Sequence, residues 1–468
     1  MSVSLKPTVM KFGGTCVEDA KAFERVVGIM RAHNHSPLVV VVSAMSGVTD
    51  ALLNCVASAN GNTDGSYLLI NDILKRHFER HLLVARTFLS RPEQIEEMLE
   101  SGQREIAGLL AGISENARPL PLLQDLIVSY GERLSAPLLA DVCAEAGLPA
   151  QYVDPRRCII TDSEHGRAEP LLEPTEARTA AELEPLIRAG QIPILGGFIG
   201  STADGLTTTI GRGGSDYTAA IVGSALRAGE VQIWTDVPGV LTADPRVLPQ
   251  ARTVPRLSYD EAAELAYFGA KVLHPKTIQP AVEHNIPVRI CNARSPEEKG
   301  TIVCRETEIS PQAVKAIAHK TGITLVQITS ARMLGAHGFL HAIFEIFNRH
   351  RTVIDIVTTS EVSISLSVDD ARALPAITNE LSRLGAVDIE KGRAIICVIG
   401  EGLRATPGIA ARVFGCLSDI NVSLISQGAS RINLTFVVDE KNVNEAISRL
   451  HHTFFESEIA PLVEEMSA

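Results

Sequence analysis

Beyond about residue 305 the chain repeats itself. Gly322, Leu325, Gly338, Phe344, Ser360, Ile364, Leu366, Val368 and Asp369 recur 70 residues later as Gly392, Ile395, Gly408, Phe414, Ser430, Leu434, Phe436, Val438 and Asp439. A repeat of this length admits few folds. Each copy runs strand, Gly-led helix, strand, strand, with a further helix in 371–384 and 441–454. That order is the β-α-β-β-α-β pattern of a ferredoxin-like unit. Two copies are too few for a solenoid, so paired small sheets are expected. With ETEISPQ as the linker, the modules span 313–390 and 391–468, and residues 313–328 can pair with the second module rather than the first.

Residues 1–305 carry a different pattern. Short β-branched runs at 8–12 (TVMKF) and 38–43 (LVVVVS) are each followed by a Gly-containing loop and helix-compatible sequence, the signature of β-α-β units around a buried parallel sheet. Further strands are expected at 150–153, 192–199, 231–235 and 287–291, with helices at 215–228 and 258–269. Residues 66–118 show helical spacing without a strand and read as a helical insertion. The fold class is therefore α/β with a mainly parallel sheet, followed by two α+β modules.

Composition excludes several partners. Lys and Arg total 43 against 55 Asp and Glu, a formal charge of −12, which argues against a nucleic acid or an anionic membrane as main partner. Aromatic residues are only 4%, too few for base-stacking platforms. The densest apolar runs, such as Leu38 to Val42, are far shorter than the roughly 18–20 residues of a membrane span. The N-terminal MSVSLKPTVMKF does not resemble a secretory signal. The eight cysteines are scattered with no zinc-like spacing, so reduced thiols and a cytoplasmic location are expected.

Chemistry concentrates in five segments. KFGGTC, Lys11 to Cys16, ends the first strand; Gly13 and Gly14 let backbone approach an anion and Lys11 supplies a compact positive charge, although a Gly pair there is also an ordinary turn. The chain has no Walker-type loop and no dinucleotide fingerprint, so a different nucleotide fold is required. SAMSGVTD, Ser43 to Asp50, follows the second strand and can expose N–H groups at a helix start. GLTTTIGRGGSDYTAA, 205–220, crowds Arg212, Ser215 and Asp216 around two glycines before a helix. There a guanidinium can hold a carboxylate and Asp216 can orient a lysine, or the group can be a surface pair with a Ser cap. WTDVPGVLTADPRV, 234–247, presents Thr235, Asp236, Asp244 and Arg246 in an elaborate loop, and FGAKVLHP, 268–275, places Lys271 near a helix end.

In order, KFGGT, SYGE, GFIGS, TTTIGRGGSD, WTDVPG, TADPR and FGAKVLHP closely resemble aspartate kinase, over essentially the whole chain. The resemblance implies the amino-acid kinase fold for 1–305 and two ACT modules after it. It implies a monofunctional enzyme that moves the γ-phosphoryl group of ATP, with Mg²⁺, to the β-carboxylate of L-aspartate, the first step towards lysine, threonine and methionine. By that resemblance Lys11 and Asp216 are catalytic, and Gly13, Gly14, Ser43 and Gly47 bind phosphate. Thr49, Glu132, Arg212 and Ser215 bind aspartate, Glu132 taking the ammonium and Arg212 the α-carboxylate. Thr235, Asp236, Arg246 and Lys271 match ATP-binding positions, and no protein metal ligand is implied. Cys16 stands where Ser is usual and Leu241 where many relatives have Tyr; the setting of Cys16 could favour its thiolate. An amino-acid-sensing ACT protein with an inactive kinase scaffold, and a kinase for another small carboxylate, are the alternatives.

The resemblance also implies a homo-oligomer built through the ACT modules and feedback by an amino acid, taken to be L-lysine. Met333, Gly338, Phe339 and Leu340 would offer backbone N–H donors to its α-carboxylate at a helix start. Asp355, Ser360 and Glu361 would take its ammonium groups, the alternative being that Asp355 and Glu361 are solvated loop charges.

Overall fold

The computed structural model describes residues 6–61, 66–114, 119–211, 213–269, 273–307, 310 and 313–456. They fall into two bodies. One comprises Met1–Gly239, Pro255–Tyr259 and Leu273–Arg305; the other comprises Val240–Val254, Asp260–Val272 and Glu306–Ala468. The second body thus takes in two excursions from upstream of residue 305. Within it Ala243 and Leu248 pack into the core of the C-terminal module, and Ile317 N–H donates to Thr242 O at 2.8 Å.

In the first body, among the described residues, eight strands form one sheet in the spatial order Ala150–Val153, Ile192–Gly196, Leu38–Val42, Thr8–Phe12, Glu230–Thr235, Val288–Asn292, Thr301–Cys304, Arg256–Ser258. All pairs are parallel except that between Val288–Asn292 and Thr301–Cys304. The mainly parallel sheet expected from the β-branched runs is therefore present. Leu38–Val42 is buried along its whole length, which is why it reads as continuous Leu and Val rather than an alternation. Phe12 pairs with Val42 and Trp234, and Val42 with Gly196, so these four strands end together and their following loops share one edge. The expected insertion contains the helices Ser66–Phe88 and Glu93–Ser114.

The run 192–199 is not one strand. Ile192–Gly196 lies in the large sheet, whereas Ile199–Thr202 joins a separate three-stranded sheet. The break falls at Gly197 and Phe198, the latter at φ 65, a costly backbone for a bulky side chain.

Among the described residues the second body contains a six-stranded antiparallel sheet in the order Val357–Thr359, Ser363–Val368, Ala316–Thr329, Ala386–Ile399, Asn433–Asp439, Val422–Gln427. Its two central strands each serve both halves. Ala316–Lys320 pairs with Ile395–Ile399, while Thr324–Thr329 lies between Ser363–Val368 and Ala386–Glu390. Arg393–Ile399 in turn pairs with Asn433–Asp439. The register shifts between Lys320 and Leu325, beside Gly322 at φ +74 and its repeat mate Gly392 at φ +68. Both glycines adopt left-handed backbone, so the repeat places a kink in each strand where it passes from one half to the other. The halves have separate cores: Val326, Ile343, Phe347, Ile364 and Leu366 in one, and Ile396, Val413, Phe436 and Ile447 in the other.

Candidate active site

At the shared strand edge of the first body lies a cavity of about 350 Å³, lined among others by Lys11, Gly14, Ser43, Gly47, Thr49, Glu132, Ser215 and Asp216. These residues come from four stretches far apart in sequence, and the topology gathers them because ligand sites in parallel sheets form beyond the carboxyl ends of the strands. Gly13 adjoins the cavity: its N–H donates to Trp234 O at 3.1 Å, and Lys11 Nζ lies 3.6 Å from where a Cβ would sit.

Two helices start at the wall, Val48–Asn60 after Gly47 and Gly214–Ala225 after Gly213. Gly47 has φ +81, a conformation that L side chains rarely adopt, and it turns the chain from the loop into the helix. The positive ends of both helices bring partial positive charge to the cavity, as an anionic ligand requires.

Of the charged lining residues, Glu132 is buried, Lys11 and Asp216 are largely shielded and Asp50 is exposed. Lys11 Nζ lies 2.7 Å from Asp216 Oδ1, with 11% and 18% of the two side chains exposed. Asp216, in the first turn of its helix, therefore orients the lysine ammonium. Glu132, in the first turn of Tyr130–Glu145, is 3% exposed. Burial pushes its pKa up to about 8, against the opposing pull of backbone hydrogen bonds from Ala44 and Glu132 itself and the charge of Lys11. Its Oε2 is buried and has no hydrogen-bond partner among the described residues. A buried acceptor left without a donor is costly, and a ligand ammonium would satisfy it.

Arg212 and Lys271 lie outside the described residues. Thr235 ends its strand one residue beyond Trp234, which ties it to the Gly13 loop, and its Oγ1 donates to Asp236 Oδ1 at 3.3 Å. Arg246 falls in the second body, where it pairs with Asp244 at 2.6 Å and is largely exposed. Leu241 also falls there, bridged to Thr253. Cys16 does not sit as a thiolate: it is 2% exposed, its Sγ donates to Trp234 O at 3.4 Å, and burial raises its pKa despite Lys11.

Some residues escaped the reading of the sequence. Phe198 lines the cavity in its strained conformation, and only its place inside GFIGS hinted at a role. Asp125, fully buried, accepts from Gly166 N–H at 3.0 Å, Thr209 Oγ1 at 2.5 Å and His165 Nδ1 at 2.8 Å, and so fixes the strand Thr207–Thr209, which precedes the helix Gly214–Ala225 in the chain. A single aspartate before SYGE carries no signal of such long-range bonds.

In the second body, Met333, Gly338, Phe339 and Leu340 flank the start of the helix Phe339–Arg349, with Gly338 its N-cap. Ser360 and Glu361 are exposed, and Ser360 Oγ bonds Ser363 Oγ at 2.7 Å. Asp355 is not a solvated loop charge. Its side chain is 1% exposed and its Oδ1 accepts from Lys320 Nζ at 3.0 Å and Tyr267 OH at 2.8 Å.

A buried lysine and carboxylate at the carboxyl edge of a parallel sheet, beside two helix N-termini, form the construction of an amino acid kinase. The amino acid kinase family matches residues 6–292, and an ACT domain matches residues 396–454. Lysine-sensitive aspartokinase 3 of Escherichia coli (strain K12) is 39% identical over 456 residues, spanning 96% of this chain and 99% of that protein. Chloroplastic aspartokinase 1 of Arabidopsis thaliana is 37% identical, spanning 96% of this chain and 80% of that protein. The structure is similar to crystal structures of E. coli aspartokinase III, one with aspartate and ADP (R-state) and one with lysine and aspartate (T-state). Each has a TM-score of 0.79 at 38% identity over 96% of this chain, covering 100% and 99% of the respective solved chains. The chain belongs to the aspartokinases, ATP-dependent phosphotransferases with an amino-acid kinase fold and an ACT regulatory region. No described helix is long and apolar enough to cross a membrane.

Proposed function

We propose that the cavity binds L-aspartate beside the triphosphate of ATP and transfers the γ-phosphoryl group to the β-carboxylate, with residues 1–305 as the catalytic domain. The observation that carries this reading is the pairing of Lys11 with Asp216 in the same cavity as the partnerless Glu132 Oε2. Glu132 receives the substrate ammonium, Arg212 its α-carboxylate, and Thr49 and Ser215 complete the pocket. The β-carboxylate, ionised at neutral pH, needs no general base. One of its oxygens forms a bond to the γ-phosphorus as the bond to the bridging oxygen breaks, and ADP leaves. Lys11, oriented by Asp216, neutralises charge on the transferred group, assisted by loop N–H groups of Gly13, Gly14, Ser43 and Gly47. Thr235 and Asp236, at the end of the strand Glu230–Thr235, hold the nucleotide. Mg²⁺ bound with the nucleotide would supply further neutralisation of the phosphate charge. The eight free cysteines, most of them buried, accord with a reducing compartment such as the cytoplasm. ADP release measured with L-aspartate, L-glutamate and N-acetylglutamate tests the assignment: aspartate alone should stimulate it, and stimulation by another of the three without aspartate would refute it.

The two modules at 313–390 and 391–468 are read as an ACT pair that joins protomers and senses lysine. Support for association comes from the apolar side chains exposed on the first module, Leu334 at 63%, Val353 at 64% and Phe344 at 38%. Light scattering at micromolar concentration should give at least a dimer; a monomer with and without lysine would reject this. Lysine would place its α-carboxylate at the helix start behind Gly338, between Met333 and Leu340. One of its ammonium groups would displace Lys320 from Asp355, the rest of its charge facing Ser360 and Glu361. Millimolar lysine should raise the aspartate KM or lower kcat, and Asp355→Asn should relieve it. Inhibition by threonine with none by lysine would end the assignment.

A further inference from the structure

Arg80 belongs to the helix Ser66–Phe88 of the insertion, outside every motif that lines the cavity. Its guanidinium nevertheless holds two of the loops that do. Nε and Nη2 donate to Glu18 O at 3.2 and 2.7 Å, and Nη1 donates to Ser46 O at 2.8 Å. Glu18 lies between the short turn Gly14–Cys16 and the helix Ala20–His33, and Ser46 lies in the loop between Leu38–Val42 and Val48–Asn60. The loops also join directly, through Ser46 N–H and Gly14 O at 3.1 Å. His77, one turn earlier, is kept neutral because burial and the charges of Arg80 and Arg76 lower its pKa. Its Nδ1 can therefore accept from Arg80 Nη1 at 3.3 Å, and its Cε1 lies 3.7 Å from where a Cβ on Gly47 would sit.

The geometry of the peptide unit gives these bonds a direction. Ser46 C=O and Gly47 N–H belong to one planar trans peptide and point opposite ways. Gly47 lines the cavity and Arg80 does not, so a carbonyl held towards Arg80 turns the Gly47 N–H towards the cavity. A guanidinium suits this task because its planar fork can hold two carbonyls at once, which an ammonium does less rigidly.

We propose that Arg80 is a positioning residue for phosphoryl transfer, fixing the Ser46–Gly47 peptide so that its N–H faces the transferred group. The proposal rests on the reading of the cavity as the transfer site. Losing or mis-aiming one such donor costs on the order of a hundredfold in rate.

The experiment compares the unaltered protein with Arg80→Gln and Arg80→Lys. Amide hydrogen exchange is followed over residues 43–50 and, as a control, over the strand 38–42. The aspartate KM and kcat are measured in parallel. In Arg80→Gln, exchange at 43–50 should rise about tenfold or more with the strand unchanged, and kcat should fall about thirtyfold or more with the aspartate KM within about twofold. Arg80→Lys should recover part of kcat. Unchanged exchange at 43–50, an unchanged kcat, or faster exchange throughout the first body would overturn the proposal. An unaltered protein that never phosphorylates aspartate would sink the reading of the site instead, and the exchange measurement would still decide whether Arg80 holds the loop.

Discussion

Replacing Lys11 with Ala is expected to lower kcat about a thousandfold while moving the aspartate KM only a few-fold. The ammonium is largely shielded from water and held against Asp216 at 2.7 Å, so its field acts on the transferring phosphoryl group with little screening. Negative charge on that group shifts as transfer proceeds, and an interaction that strengthens there appears in kcat rather than in ground-state binding. If Asp216 acts by orienting Lys11, the two must be coupled. Asp216→Asn alone should then lower kcat strongly, and the double variant should be little worse than Lys11→Ala. Steady-state kinetics on the three variants decides this; an unchanged kcat in Lys11→Ala removes the lysine from the mechanism, and additive losses remove the coupling.

The second large effect belongs to Glu132. Glu132→Gln keeps the size of the side chain but removes the charge, and should raise the aspartate KM about a hundredfold, the cost of truncating one member of a buried charge pair. Its raised pKa makes the same residue visible through pH. Below about 8 the free carboxyl carries a proton, which must leave before a substrate ammonium can pair with it. Aspartate affinity should therefore fall as pH drops from about 8, approaching tenfold per pH unit, and calorimetry in buffers of different ionisation heat should register proton release on binding. Both signals should vanish in Glu132→Gln. The stability effect has the opposite sense. Because folding raises this pKa from 4.5 to about 8, the native state binds the extra proton between those values, so stability falls as pH rises through that window. The Gln variant should then unfold at higher temperature than the parent at pH 8, despite its weak binding. An unaltered KM with an unaltered pH dependence would take Glu132 out of the substrate site.

How much of this was legible in the amino-acid order differs from element to element. The run at 38–43 announced a parallel sheet because a strand covered on both faces carries Val and Leu without alternation. Lys11, Glu132 and Asp216 could be singled out because each sits in a short motif at the end of a strand or the start of a helix. The split of 192–199 was hidden, since Gly197 and Phe198 interrupt neither hydrophobicity nor spacing; what breaks the strand is a backbone torsion. The exchange of strands at Gly322 and Gly392 was half visible. The repeat aligned the two glycines, but pairing of Ala316–Lys320 with Ile395–Ile399 is fixed by tertiary contact across some eighty residues. Asp355 shows the same limit from the other side. Its charge suggested a ligand, while the Lys320 and Tyr267 partners that bury it are invisible to local pattern. Arg80 left no trace at all, because one arginine on an amphipathic helix is ordinarily solvated.

The central claim is that the cavity makes a mixed anhydride between phosphate and the side-chain carboxylate of aspartate. Trapping with hydroxylamine during turnover tests it most directly, because hydroxylamine captures an acyl phosphate as a hydroxamate and leaves a free carboxylate untouched. With ATP, Mg²⁺ and L-aspartate, β-hydroxamate should accumulate in step with ADP, and L-asparagine, whose side-chain carboxylate is blocked as an amide, should yield none. ADP release without hydroxamate, or hydroxamate at the α-carboxyl, would contradict the account.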